Sequence, residues 1–417
     1  MEHQRFFVRG TTYASGDPNL QRALESVYGS SERPRCMCVE GGVPMYIARH
    51  GGDYIVKRMP DSGAQHHPTC PAYEPEAGTS GLGELVGEAI IEHSPEEVEI
   101  RIDFALSRAG GKPMPKGETT KEPAEVHAQR RRMSLRALLH YLYEAAGFNR
   151  WYPAMEGRRN QGVLHKYLMQ AAGSVVVKGS KLDERLYVPE PFRLEQKDEI
   201  SARRRQKLSL LQSTEAQVQF KMAIVIGEYN GSEATPSGQR IMVRHMADAP
   251  LYMEARAWQK AERSYGAMLC ARGADVERKP RVLMAALIYG KADGLYYVDT
   301  LSVMLATDQW IPLDGLHQLP LVEALQRERR AFLKPLRYDA KSAAGFPDAI
   351  LLDCGPAAVP LHVINTRGDP KEIALKEKVI DQAGATVWKW SLGENMPALP
   401  VPIRTATAAP QAVAASH

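Results

Sequence analysis

Pro34-Arg35-Cys36-Met37-Cys38 and, across 27 intervening residues, His66-His67-Pro68-Thr69-Cys70 decide how the N-terminal part of this chain folds. Tetrahedral zinc takes four deprotonated nitrogen or sulfur ligands, and two closely spaced pairs bring four ligands together at small loop-closure cost. Cys36-x-Cys38 offers one pair from a tight turn. His66-x-x-x-Cys70 offers the other, with Pro68 turning the chain back, and His67 stands beside His66 as an alternative ligand. Four protein ligands close the coordination sphere, so the expected zinc is structural rather than catalytic. The intervening segment is expected to form a small sheet carrying Tyr46, Ile47, Tyr54 and Ile55. The competing readings are three buried cysteines beside an exposed histidine pair, or a catalytic zinc with an open position. Three of the five cysteines fall within residues 36–70, leaving Cys270 and Cys354 far away. That clustering favours metal over disulfides.

Working outward, 417 residues with 44% hydrophobic and 24% charged side chains describe a globular chain long enough for several cores. The longest apolar runs, Val282–Tyr289 and Met222–Ile226, are too short to span a bilayer. The opening MEHQRFFVRG lacks the apolar stretch of a secretory signal, so a cytoplasmic location without a membrane partner is expected. Phosphate loops of the GxxxxGK[ST] or GxGxxG type are missing from the sequence, and no nucleotide cofactor is expected.

Charge is unevenly spread. Residues 71–125 hold 5 basic and 12 acidic side chains, whereas residues 126–182 hold 10 basic and 2 acidic. A local basic excess marks a site for a polyanion, or a block that docks on the acidic stretch before it. Ser134 is placed to cap a helix bearing Leu135, Leu138, Leu139 and Leu142, with Gly147 at its end. A second helix is expected at 161–172, followed by a β-hairpin, the order found in winged-helix modules. In such a module Arg158, Arg159, Asn160, Gln161 and Lys166 would face double-stranded DNA, with Lys178 and Lys181 on the wing touching phosphates. Trp151 and Tyr152 could stack on bases, but two aromatics beside Pro153 read more readily as core anchors.

Residues 319–392 show the order helix, LRYDA, FPDAILLD, VPLHVINT, helix, ATVWKWSL. Asp369 is expected as N-cap of the second helix, with Pro370 at its first position and Gly384 past its end. This α-β-β-β-α-β order, with Pro347-Asp348 opening the second strand, resembles the core of restriction-endonuclease-like proteins. The resemblance implies two carboxylates holding magnesium and a lysine positioning the attacking water. Asp348 stands where the first carboxylate belongs, and Glu323 or Glu328 offers a second. The third strand carries His362-Val363-Ile364 where acid-x-Lys belongs, so the catalytic pattern is broken, with Lys376 or Lys378 as a relocated cation. The structural reading of Asp348 is an acid satisfied by local backbone and Arg337.

The pieces PRCMC, MYIARHGGDYIVKRMP, HHPTCPAYEPE and TSGLGELVGEAI, with HYLYEAAGFNRWYPAMEGRRNQGVLHKYL, LDERLYVPEPF and FPDAILLD, resemble an uncharacterised bacterial family. That family is a conserved domain of unknown function, common on plasmids and on integrative and conjugative elements. The resemblance favours His66 over His67 and implies a mobile-DNA context with possible protein partners from the same element, not a mechanism.

The expected fold class is α+β, mixed and multidomain. It comprises a zinc-binding β-rich module at 1–106, a flexible linker at 107–125 and a basic winged-helix-like domain at 126–210 that ends in an exposed helical linker. A strand-rich domain follows at 211–315 with a helix near Tyr252–Cys270, then a degenerate nuclease-like domain at 316–395 and a disordered tail at 396–417. The expected function is a non-catalytic, zinc-containing, DNA-associated accessory protein. The alternatives are a magnesium- or manganese-dependent nuclease and a protein-interaction scaffold in conjugation or defence. Residues 217–310 give no functional signal.

Overall fold

The structure is a computed structural model that describes residues 4–50, 52–94, 97–109, 131–213, 219–383 and 387–403. Most of the expected linker, the expected stop at Gly384 and the tail beyond 403 lie outside the described residues. The fold is mixed α and β, in two compact units. One comprises Met1–Glu76, Ala324–Leu333 and Pro347–His417; the other comprises Ala77–Glu323 and Lys334–Phe346. This division cuts across the boundaries drawn from composition. Among the described residues no helix is long and apolar enough to cross a membrane.

The first unit opens with the hairpin Arg5–Val8 and Thr11–Ala14. Arg9 and Gly10 both adopt positive φ there, as a two-residue primed turn requires. The helix Leu20–Val27 buries Leu20, Leu24 and Val27, one stripe at helical spacing. Strands Arg35–Cys36, Val43–His50 and Asp53–Arg58 complete an antiparallel sheet in the order 11–14, 5–8, 35–36, 43–50, 53–58. The segment between the cysteine and histidine pairs, expected to form a small sheet, is an antiparallel hairpin within the larger sheet, with Tyr46 opposite Lys57 and Arg49 opposite Tyr54.

The C-terminal part of this unit has the strands Phe332–Leu333, Ala349–Leu351, Val359–Ile364 and Trp388–Ser391 side by side. The first three are antiparallel neighbours and the last runs parallel to the third, after the helix Pro370–Ala383. The Asp369 carboxylate accepts from the Lys371 N–H at 2.8 Å, as expected at that helix start. One correction concerns the first strand, which is Phe332–Leu333 rather than LRYDA. Leu336 and Tyr338 are packed in the core of the second unit. A second concerns the start of the expected disordered tail. There Leu399 is buried and the Ile403 N–H donates to the Asp353 carbonyl at 2.8 Å.

In the second unit the helices Leu135–Ala145 and Gln161–Gly173 form as the sequence predicts. Ser134 caps the first by accepting from the Ala137 N–H at 3.2 Å, and Leu135, Leu138, Leu139 and Leu142 are buried. The hairpin Val175–Val177 and Ser180–Lys181 follows. It is not a free wing: Val175 and Val176 run parallel to Val98 and Glu99, inside a four-stranded sheet with Ile90–Ser94. The helix Lys197–Lys207 is not an exposed linker either. It buries Ile200 and Arg204, and Arg204 pairs with Asp248.

The strand-rich middle is organised by one 17-residue strand, Gln219–Thr235. Its first half pairs with Arg281–Gly290 and its second half with Gly238–Val243, the second pairing carrying a register break between Tyr229 and Ser232. Gly238–Val243 then pairs antiparallel with Leu251–Glu254, which runs parallel to Tyr296–Ala306. That strand returns antiparallel to Arg281–Gly290, so five strands close into a ring. The helix Ala255–Leu269 connects the third strand of the ring to the fourth. Gly238 is required at the first turn, because a Cβ there would lie 2.0 Å from the Met253 carbonyl oxygen. Near the middle of the long strand Glu228 is 2% exposed and receives Arg244, Arg272 and Arg281 at 3.2, 3.3 and 2.9 Å. A buried carboxylate is tolerated only with such partners.

Candidate metal centre

Cys36 ends a short sheet strand opposite Val43, and Cys38 follows in the turn that returns through Gly42 at φ +67°. On the other side the Cys70 N–H donates to the His67 carbonyl at 2.8 Å, a turn that brings Cys70 back beneath His66. The result joins Cys36, Cys38, His66 and Cys70, whose ligand atoms all lie within 4.8 Å of one another. Cys36 Sγ is 3.6 Å from Cys70 Sγ, while His66 Nδ1 is 3.3 Å from Cys38 Sγ and 3.7 Å from Cys70 Sγ. A tetrahedron with zinc–sulfur bonds of about 2.3 Å and zinc–nitrogen bonds of about 2.05 Å has sulfur–sulfur edges of about 3.8 Å and sulfur–nitrogen edges of about 3.6 Å. The observed spacings match such a site, and the four residues could hold zinc.

Three of the four are buried, with Cys36 at 0% and His66 at 2% exposure, and Cys38 is half-buried. Hydrogen bonds from Cys38 and then Cys70 hold the Cys36 thiol far below its ordinary value, against the opposing effect of burial. The contact with Cys36 pushes Cys70 the other way. Burial alone would lower His66, but its contacts with Cys36 and Cys38 raise it to about 9. Three sulfurs and one imidazole thus compete for protons in a space that a single divalent cation would neutralise. The Gln4 side-chain N–H donates to Cys36 Sγ at 3.3 Å and to Cys70 Sγ at 3.7 Å, and the Ala72 N–H donates to Cys70 Sγ at 3.4 Å. Such donors stabilise thiolate around a metal. Sequence reading missed Gln4, which has no motif. His67 is outside the cluster, its Nδ1 within 2.8 Å of the Thr69 hydroxyl. Among the described residues His66 Nε2 is buried without a hydrogen-bond partner.

The nuclease-like residues do come together in part. Asp348 is 2% exposed; its carboxylate accepts from the Val363 N–H at 2.7 Å and pairs with Lys376. Lys376 therefore reaches Asp348 from the following helix, and Arg337, the partner expected for Asp348, pairs with Asp314 at 2.9 Å. His362 is 2% exposed, and burial, reinforced by Lys376, lowers it to about 4. Glu323 pairs with Arg278 at 2.6 Å, and Glu328 and Lys378 are exposed.

Of the seven residues expected to contact DNA, Lys181 is exposed on its hairpin, and the other six divide into two groups. Arg159 is half-buried and donates to the carbonyls of Phe148 at 3.0 Å, Gly147 at 3.2 Å and Arg150, with its guanidinium over the Phe148 and Trp151 rings. Burial lowers its pKa to about 10. Asn160 caps the helix by accepting from the Val163 N–H at 3.1 Å, and buried Gln161 donates to the Pro189 carbonyl at 2.6 Å. These three side chains serve the local fold. Arg158 and Lys166 are exposed, as is Lys178, whose ammonium donates to the Phe104 carbonyl at 3.1 Å. Tyr167, 43% exposed, lies beside Lys166.

No curated protein and no solved structure matches the chain. The pattern of one family, described as a protein of unknown function (DUF1173), matches residues 6–393, and the chain belongs to that family.

Proposed function

We propose that this chain is a zinc-stabilised, DNA-associated protein in which the metal is structural. The observation that carries the reading is the cluster of Cys36, Cys38, His66 and Cys70, three of them buried, whose four ligand atoms lie within 4.8 Å of one another. Four protein ligands leave no coordination position for substrate, so the ion would fix the sheet rather than perform chemistry. Association with duplex DNA is supported by the exposed Arg158 and Lys166 within the basic segment, with Tyr167 and Gln170 exposed close to Lys166 in the sequence. The mobile-element context and a role as accessory to it belong to the same proposal. A gel-shift titration of the purified chain against duplex DNA tests it. Binding should weaken with salt, and Arg158→Gln with Lys166→Gln should lower that salt dependence. A chain without salt-dependent affinity would fit the protein-scaffold reading instead.

One observation favours a second reading. Asp348 and Lys376 are brought together beside His362, an acid and a cation of the type that metal-dependent nucleases employ. Plasmid cleavage with magnesium or manganese that disappears in Asp348→Asn would establish it. In the first reading the pair is spent on itself and no cleavage occurs.

A further inference from the structure

We propose that the closed five-stranded ring of the second unit binds a single strand of nucleic acid across its outer face. The ring follows the chain as first strand 219–235, second 238–243, third 251–254, fourth 281–290 and fifth 296–306. Around the circumference the order is first, second, third, fifth, fourth and back to first, with the third and fifth parallel and a helix between the third and fourth. This is the Greek-key barrel order of small oligonucleotide- and oligosaccharide-binding domains, which take their ligand across the second and third strands and the loops beside them. Fold order alone assigns no function. The side chains on this barrel supply the second observation.

An aromatic row crosses the barrel from strand to strand, with Tyr289 buried at 3% exposure and Phe220, Tyr297 and Tyr252 half-buried. Phe220 on the first strand lies 5.8 Å from Tyr289 on the fourth, which lies 5.8 Å from Tyr297 on the fifth, which lies 6.0 Å from Tyr252 on the third. Arg240 on the second strand stands opposite Tyr252 in the register and ends the row. The alternation along the strands explains the alignment. Ile241, Val243, Leu251 and Met253 are buried, which leaves Arg240 and Tyr252 on the opposite, half-buried face. Cations lie over the rings: Lys291, in the loop between the fourth and fifth strands, is 3.8 Å from the Tyr297 centroid, and Arg108 is 4.6 Å from that of Tyr289.

Acids are present too, but they are engaged. Asp293 accepts from the Tyr297 hydroxyl at 2.6 Å, Asp299 pairs with Arg108 at 3.1 Å and Glu233 pairs with Arg240 at 3.3 Å. Glu254 is exposed next to Tyr252. Lys291 has its ammonium on aromatic faces rather than on a carboxylate, so a phosphate can take it up without breaking an ion pair. The two half-buried tyrosines, Tyr252 and Tyr297, with the Lys291 cation over the Tyr297 ring, suit unpaired bases, whose faces are open, and not a closed duplex. The reading is independent of the zinc cluster and of the Arg158 helix, and it names a different strand state from the duplex expected there.

Fluorescence anisotropy of the full chain with a labelled thymidine oligonucleotide tests it, with unlabelled duplex as competitor. Tyr252→Leu and Tyr297→Leu, which keep apolar volume, should each weaken oligonucleotide affinity roughly tenfold, the worth of one stacked base. Lys291→Gln, which removes the charge over the Tyr297 ring, should lower the salt slope by about one ion. Duplex affinity should stay unchanged in all three and fall instead in the Arg158 and Lys166 variants, so either site can fail without the other. Absence of oligonucleotide binding by the wild-type chain overturns the proposal. So does binding that survives unchanged in Lys291→Gln and in the tyrosine variants whose circular dichroism and melting match the wild type.

Discussion

Two sets of side chains hold the first unit together in chemically distinct ways. At the cluster that could hold zinc, the four side chains come from a strand end and two turns, which a bound ion would tie together. Replacing Cys36 or Cys70 by serine should therefore abolish zinc binding and lower the melting temperature of the chain. Cys270→Ser, at an exposed position, should change neither. Metal analysis beside thermal melting checks both. At Asp348 the stabilising partner is a lysine on the next helix. Lys376→Met would leave a 2% exposed carboxylate without its cation, at a cost of roughly 3–5 kcal/mol in chemical denaturation. Adding Asp348→Asn to that variant should recover part of the loss, because the uncompensated charge goes with it. An unstable double variant no better than the single one would show that the pair is not coupled. The metal cluster was legible in the sequence because ligand type and spacing are local. The exchange of Arg337 for Lys376 was not, since it depends on which helix packs over the strand.

Helices and strands were legible wherever one buried face imposed a period. The stripe at Leu135, Leu138, Leu139 and Leu142 and the hairpin at 43–58 needed only local pattern and cap chemistry. What the hairpin at 175–181 would pair with was not readable, because a short Val-Val-Val run fits any sheet that offers an edge, and the edge came from residues 97–100. The helix 135–145 also carries a pH dependence. His140 is buried on it and its Nδ1 accepts from the Tyr338 N–H at 3.0 Å, a bond only the neutral ring can accept. Burial lowers its pKa from 6.5 to about 4. Between those values the unfolded chain binds a proton that the folded chain refuses, so stability is level above pH 6.5 and falls as the pH drops toward 4. The loss from this group reaches about 3 kcal/mol. His140→Asn, which keeps an acceptor but cannot be protonated in this range, should flatten the part of the pH–stability profile due to this side chain. A profile unchanged by the substitution would remove His140 from the account.

Across the whole molecule, chain order and spatial grouping diverge. Residues from both ends of the sequence make one unit, while 334–346 belong to the other, so boundaries drawn from composition and linkers could not follow the fold. The barrel escaped sequence reading for a related reason. Its first and fourth strands carry runs buried on both faces, which show no alternation, and the tyrosines that form one row are dispersed from residue 252 to residue 297. The central claim is the structural zinc, and elemental analysis of the natively purified chain tests it most directly. The account predicts one zinc per chain, lost together with cooperative melting of the first unit on treatment with a strong chelator. Native protein free of zinc, or zinc retained in full by Cys36→Ser, would contradict it.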